Sequence, residues 1–163
     1  MLYLVRTINS ITIFLYHLFD YPCSIFVTNL RATITKLCMS KKTTPEEVLN
    51  SVVEGINSGD LNSLMTLYEA DACFASQPGQ IAKSPESVRQ SLRSLIDLKG
   101  KLDLKVKRVL QASDLALVTS EWSFSGTGSD GNPVNMTAKS ADVLRHQADG
   151  TWQFVIDNPW GTD

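Results

Sequence analysis

The chain is poor in the residues from which most metal, redox and nucleophilic sites are built. It has two histidines, His17 and His146, and three cysteines, Cys23, Cys38 and Cys73, in 163 residues. No two cysteines stand in a CxxC pair and no Cys/His spacing suits zinc, so neither a metal site nor a disulfide framework is expected. Only His146 follows residue 38, which leaves a Ser/His/Asp or Cys/His constellation without support. Cys73 reads as a small buried residue in a reducing compartment, and the expected localisation is cytoplasmic. Charge of one sign is also lacking. The 15 basic and 17 acidic residues leave a formal net charge of −2, with no basic stripe for nucleic acid and no acidic tail. The glycine cluster at residues 126–131 lies in a hairpin rather than before a helix, so no phosphate cradle is expected.

Long apolar runs are missing too. Residues 1–38 are the most apolar part, with Arg6, Arg31 and Lys36 against Asp20, but His17, Asp20 and Pro22 interrupt them. A spanning helix needs about 20 mostly apolar residues, and this run breaks near its middle. A signal peptide needs a continuous apolar stretch and a small-residue cleavage site, and neither is evident. Met39-Ser-Lys-Lys resembles an ordinary soluble start. The expectation is therefore a 1–38 segment outside the fold or from a mis-assigned start, and one domain over 39–163 with no membrane association.

What is present is strong patterning. Thr44-Pro45-Glu46-Glu47 carries a cap, a first-turn proline and a capping-box glutamate, followed by Val48, Leu49, Val52, Val53 and Ile56 as one helical stripe. Asp60 caps a second predicted helix with Leu61, Leu64, Met65 and Tyr68 in step, ending near Asp71. Ala72 to Ala75 reads as a short extended piece, and Gln77-Pro-Gly-Gln80 as a turn. Ser84-Pro85-Glu86 opens a third helix with Val88, Leu92, Leu95 and Ile96 inward, closed by Gly100.

After Gly100 the period changes to two. Leu102, Leu104 and Val106 share a face, as do Ala116, Val118, Ser120, Trp122 and Phe124. Met136, Ala138, Ser140, Asp142, Leu144 and His146 follow on a third strand. The turn at Asp149-Gly150 leads into a closing strand with Trp152, Phe154 and Ile156 on its predicted core face, stopped by Pro159. The expected class is α+β, with a curved antiparallel sheet of about four to six strands packed against three helices, forming a cone whose open end is a pocket.

Three stretches carry a family resemblance: Asn57-Ser-Gly-Asp-Leu61, Leu67-Tyr-Glu-Ala-Asp-Ala-Cys-Phe74, and the closing turn and strand over residues 149–161. Their order and spacing resemble the nuclear transport factor 2-like superfamily, in particular its SnoaL-like and ketosteroid isomerase-like small proteins. The resemblance covers roughly residues 44–161. It implies a cone-shaped α+β barrel and a homodimer formed through the sheet, but no single function, since this fold hosts enzymes and adaptors.

The ketosteroid isomerase mechanism needs a carboxylate base and two donors for an enolate oxygen, a tyrosine and a protonated aspartic acid. By spacing within the motifs the tyrosine falls near Val52, the base near Ser76 and the acid on Asp142. Only Asp142 retains the chemistry, so it is the candidate catalytic residue. Its strand face is otherwise apolar nearby, at Ala138 and Leu144, and desolvation would raise its pKa. Tyr68, Phe74, Trp122, Asn158 and Trp160 are the candidate ligand-pocket residues, with core packing the blander reading for Trp122. Asp157, opposite in parity to Trp152, Phe154 and Ile156, reads as a turn cap or interface residue, with a catalytic role the lesser reading, and Glu121 as solvated or interfacial. No cofactor is expected. Two functions stand: a small enzyme doing acid–base chemistry on a hydrophobic carbonyl compound, or a non-catalytic ligand-binding or dimerisation module.

Overall fold

The structure is a computed structural model that describes residues 41–161; the reading of residues 1–38 lies outside them. In order the elements are α1 (Pro45–Ser58), α2 (Leu61–Met65), β1 (Tyr68–Gln77), β2 (Gln80–Ala82), α3 (Pro85–Asp97), β3 (Lys101–Ala112), β4 (Leu115–Thr127), β5 (Pro133–His146) and β6 (Trp152–Asp157). The six strands form one curved, unclosed sheet in the order β2-β1-β6-β5-β4-β3. Every pair is antiparallel except β1 with β6, which is parallel. The class is α+β, as the change of period at Gly100 requires.

Local chemistry places the helices. The Thr44 hydroxyl accepts from the Glu47 N–H, and the Glu47 carboxylate accepts from the Thr43 and Thr44 N–H groups. Gly59, at φ 73°, ends α1 in the left-handed conformation that glycine adopts without strain. Ser84 caps α3 through Ser87. Asn57 joins helix to sheet: its amide accepts from the Leu102 N–H at 2.7 Å and donates to the Leu102 carbonyl at 3.0 Å. One side chain thus pairs with β3 as a strand would.

Val48, Leu49 and Ile56 of α1, Leu61 and Leu64 of α2 and Val88 and Leu92 of α3 are buried against Ala116, Val118, Phe124, Leu144, Trp152 and Phe154 of the sheet. Burying each large side chain contributes about 1.5–3 kcal/mol relative to leaving it exposed. Among the described residues no helix is long and apolar enough to cross a membrane.

Four expectations need correction. Tyr68 opens β1 instead of continuing α2, because the Phe154 N–H bonds to the Leu67 carbonyl and commits the chain to the sheet edge. The short extended piece is consequently a ten-residue strand, and β1 and β2 precede the third helix. Cys73 is half-buried, not buried. Ile156 is exposed and Asp157 buried, the reverse of their predicted parity. The cause is a bulge: Leu144 pairs with Phe154 and Val143 with Ile156, so Val155 is an extra residue on β6.

Gly100 is a close-approach position. A Cβ there would run into the Phe124 ring and lie 2.5 Å from the Ser125 carbonyl oxygen. Gly100→Ala is expected to destabilise the fold by about 2 kcal/mol, since both obstacles sit in or beside the buried core. A urea midpoint unchanged from that of the wild type would show that the α3–β3 junction can shift to admit a methyl group.

Candidate functional site

Between the helices and the concave face of the sheet lies a cavity of about 510 Å³. This falls within the ordinary range for small-molecule sites. Leu49, Val52 and Ile56 of α1, Leu92 and Leu95 of α3, and Leu102 and Leu104 of β3 supply much of its apolar wall. Phe74, Trp122, Phe124, Phe154 and Trp160 supply aromatic rings. Gln77, Gln80, Gln90 and Ser94 line it while remaining exposed, and so mark its mouth. Tyr68, Asp142 and Asp157 line it while buried, and form its polar inner wall.

This inner wall comes from three strands. Asp142 sits on β5 two residues past Ser140, and period two puts both inward. The Ser140 hydroxyl donates to Asp142 Oδ2 at 2.8 Å, and the Asn158 N–H donates to Asp142 Oδ1 at 2.9 Å. Asp157 joins from β6 because the Val155 bulge turns it to the side of Phe154. Tyr68 joins from β1, where it pairs with Phe154 and stacks on that ring at 5.1 Å. Its hydroxyl donates to Asp157 Oδ2 at 2.5 Å. Asp157 Oδ1 has no hydrogen-bond partner among the described residues.

Burial decides the charge state. It pushes Asp142 up to about 6, against the pull of its two hydrogen bonds from Ser140 and Asn158. It pushes Asp157 up to about 8, the neighbouring charge of Asp142 adds to this, and the Tyr68 hydrogen bond opposes it. Burial beside Asp157 also raises Tyr68 well above its usual value, so it stays a neutral donor. Near neutrality the pair therefore carries about one proton and one negative charge. A carboxylic acid and a carboxylate side by side in an apolar wall can give and take a proton.

The remaining candidates separate. Phe74, Trp122 and Trp160 line the cavity. Trp122 does so while tied to the strand end, its indole donating to the Pro159 carbonyl at 2.6 Å and meeting Trp160 edge-on at 5.4 Å. The Asn158 side chain turns away to the Gly161 carbonyl at 2.7 Å, and only its backbone N–H reaches the site. Val52 and Ser76, the positions that the resemblance pairs with a tyrosine and a base, also line the cavity. His146 packs on Trp152 at 5.0 Å, away from the carboxyl pair. Glu121 pairs with Lys107 at 2.9 Å in solvent. Among the described residues no group of three or more His, Cys, Asp or Glu side chains could hold a metal ion.

Sequence reasoning missed Asp157 as the partner of Asp142. The only signal was the unbroken run Phe154-Val155-Ile156, in which alternation is lost and parity becomes ambiguous.

Comparison with known proteins agrees with this architecture. The family model of the SnoaL-like domain matches residues 49–155. A search of curated protein sequences finds no significant match. Among solved structures, the chain is similar to a ketosteroid isomerase-like protein from Erwinia carotovora atroseptica, at TM-score 0.61 and 21% identity over 69% of this chain and 88% of that one. It is similar to a provisionally assigned dehydratase of the nuclear transport factor 2-like family from Streptomyces avermitilis, at TM-score 0.58 and 15% identity over 68% and 89%. It is also similar to a provisionally assigned calcium/calmodulin-dependent protein kinase type II association domain from Thiobacillus denitrificans, at TM-score 0.62 and 15% identity over 76% and 98%. At these identities the structural likeness concerns the fold alone, whereas the family model spans most of the described domain: the chain belongs to the SnoaL-like domain family.

Proposed function

We propose that this domain binds a small, largely apolar molecule in its cavity and moves a proton on it through the Asp142–Asp157 pair. The observation that carries the reading is the pair itself, two carboxyls buried in the wall of an apolar cavity of about 510 Å³. Asp157, fixed by the Tyr68 hydroxyl, is the proton donor, and Asp142, held by Ser140 and the Asn158 N–H, is the acceptor. Phe74, Trp122 and Trp160 position the ligand body. The steroid isomerase reaction as such is not proposed, because Val52 and Ser76 cannot act as phenol donor and carboxylate base.

A second reading rests on the outer face of the sheet. Leu110 pairs with Leu117, Leu117 with Val143 and Val143 with Ile156, which makes one apolar row across four strands. Leu110, Leu117 and Ile156 are exposed at 53%, 39% and 42%. Lys105, Glu121 and Lys139 form a parallel row of alternating sign beside it. On this reading a second copy of the chain covers the row and the protein is a homodimer. Leu117→Lys is then expected to give a monomer in light scattering with an unchanged circular dichroism spectrum. A wild type that is already monomeric at micromolar concentration would refute the dimer.

Proton transfer is testable by incorporation of solvent deuterium into acidic C–H positions across a panel of small hydrophobic ketones and imines. The wild type is expected to accelerate exchange for at least one compound by ~100-fold or more, and Asp142→Asn and Asp157→Asn each to lose at least about tenfold of that. Full exchange in both variants would remove the pair from the chemistry.

The same pair predicts the dependence of stability on pH. Its carboxyls have folded values above the ordinary one, so the folded state binds more protons than the unfolded state between the two. The stability they contribute is complete below about pH 4 and is lost as pH rises through about 6 for Asp142 and about 8 for Asp157. Glu47 and Asp60, lowered by hydrogen bonds at helix starts, act the other way and only below the ordinary carboxylate range. The urea midpoint is expected to fall between about pH 5 and pH 8, and Asp157→Asn to flatten that slope. A flat wild-type profile over this range would contradict the shared proton.

A further inference from the structure

Among the described residues, the cavity wall contains two carboxyls and no lysine, arginine or histidine. Among these residues Asp142 and Asp157 have no cation to answer their charge, and their partners are a serine, a tyrosine and one backbone N–H. Buried carboxylates ordinarily pair with a cation. Asp157, only 9% exposed, also presents an oxygen, Oδ1, with no hydrogen-bond partner among the described residues. The rings of Tyr68, Trp122 and Trp160 line the same cavity, and aromatic rings attract a cation.

We propose that the ligand of this cavity carries a basic nitrogen, a hydrophobic amine or protonated imine whose N–H groups meet Asp157 and Asp142 while its apolar body fills the leucine-lined space. The proposal rests on the reading of the cavity as a small-molecule site and narrows its substrate class. A metal cation fits less well, since two carboxylates fall far short of the six or more oxygens that hard cations require. An anionic ligand would meet the carboxylate charge with nothing to offset it.

The same class accounts for Val52. Removing a proton beside a carbonyl creates a negative oxygen, and an enzyme must offer donors to it. Removing a proton from carbon beside a protonated C=N breaks the C–H bond and transfers the proton to a carboxylate. The C–H electron pair becomes the new C=C bond, and the former C=N π pair settles on nitrogen. That step cancels a positive charge and requires no oxyanion donor. The missing donor at Val52 thus matters less for a cationic substrate than for an enolate.

Isothermal titration of the full chain with naphthylethylamine, naphthylethanol and naphthylacetate separates the outcomes, because the three probes share an apolar body and differ in charge. The amine is expected to bind about tenfold or more tightly than the alcohol, and the carboxylate not to bind measurably. In Asp157→Asn and Asp142→Asn the preference for the amine should shrink while alcohol affinity holds. Tyr68→Phe provides a further variant should an Asn substitution fail to fold. Equal binding of amine and alcohol by the wild type would overturn the nitrogen assignment and leave the cavity reading intact. No binding of any of the three would overturn both. An amine preference unchanged in every folded variant would overturn the role of the carboxyl pair.

Discussion

Two carboxyl groups removed from water are the constraint on which the rest of this domain turns. An isolated buried carboxylate costs several kcal/mol, so the fold must hold protons, donors or both close by. It does so with economical means. Ser140 lies two residues before Asp142 on the same strand face, the Asn158 N–H comes from the turn after β6, and Tyr68 comes from the first residue of β1. The remaining mismatch is met by protonation, which is why the carboxyls of Asp142 and Asp157 sit above their ordinary range. The polar site is thus a property of three strands brought together, not of one motif.

The closing strand does most of this bringing together. Trp152 and Phe154 contribute to the core, Val155 is the extra residue that bends the ladder, and Asp157 enters the cavity wall as a result. Asn158 then caps the strand twice, through its backbone to Asp142 and through its carbonyl to the Ala141 N–H at 3.0 Å. Pro159 presents its carbonyl to Trp122. A bulge next to a functional site commonly re-aims a side chain, and here the re-aimed side chain is a carboxyl. The order of residues in Asp157-Asn158-Pro159-Trp160 therefore has a structural account at each position, from acid to strand stop to aromatic wall.

The family motifs also acquire physical content. In Asn57-Ser-Gly-Asp-Leu61, Asn57 bonds both backbone groups of Leu102, Gly59 terminates α1, and Asp60 caps α2 by accepting from the Ser63 N–H at 3.0 Å. In Leu67-Tyr-Glu-Ala-Asp-Ala-Cys-Phe74, the pairing of β1 with β6 is irregular between Tyr68 and Cys73, and Tyr68 and Phe74 line the cavity. These positions hold helix, strand and cavity in register. None of them dictates a reaction, which is why membership of this family leaves function to the cavity's own side chains.

Local and nearly local physics was legible in the sequence: the capping box at Thr44, the glycine stop at 59, the amphipathic stripes of α1 and α3, and the strict alternation that put Ser140, Asp142 and Leu144 on one face of β5. Each of these depends on residues within a turn or two of one another. Asp142 could be singled out for the same reason, as a lone acid on an apolar face. The position of Asp157 could not, because a single bulged residue inverts every later side chain and the apolar run 154–156 satisfies either parity. Nor could the place of Tyr68, whose spacing continued a helix that pairing with β6 cut short. Sequence by itself determined the class, the first and third helices, the strands after Gly100 and one carboxyl of the candidate site. Tertiary structure decided the partner of that carboxyl, the proton the two share and the cavity they face, since all three depend on strands distant in sequence and on how much water their packing excludes.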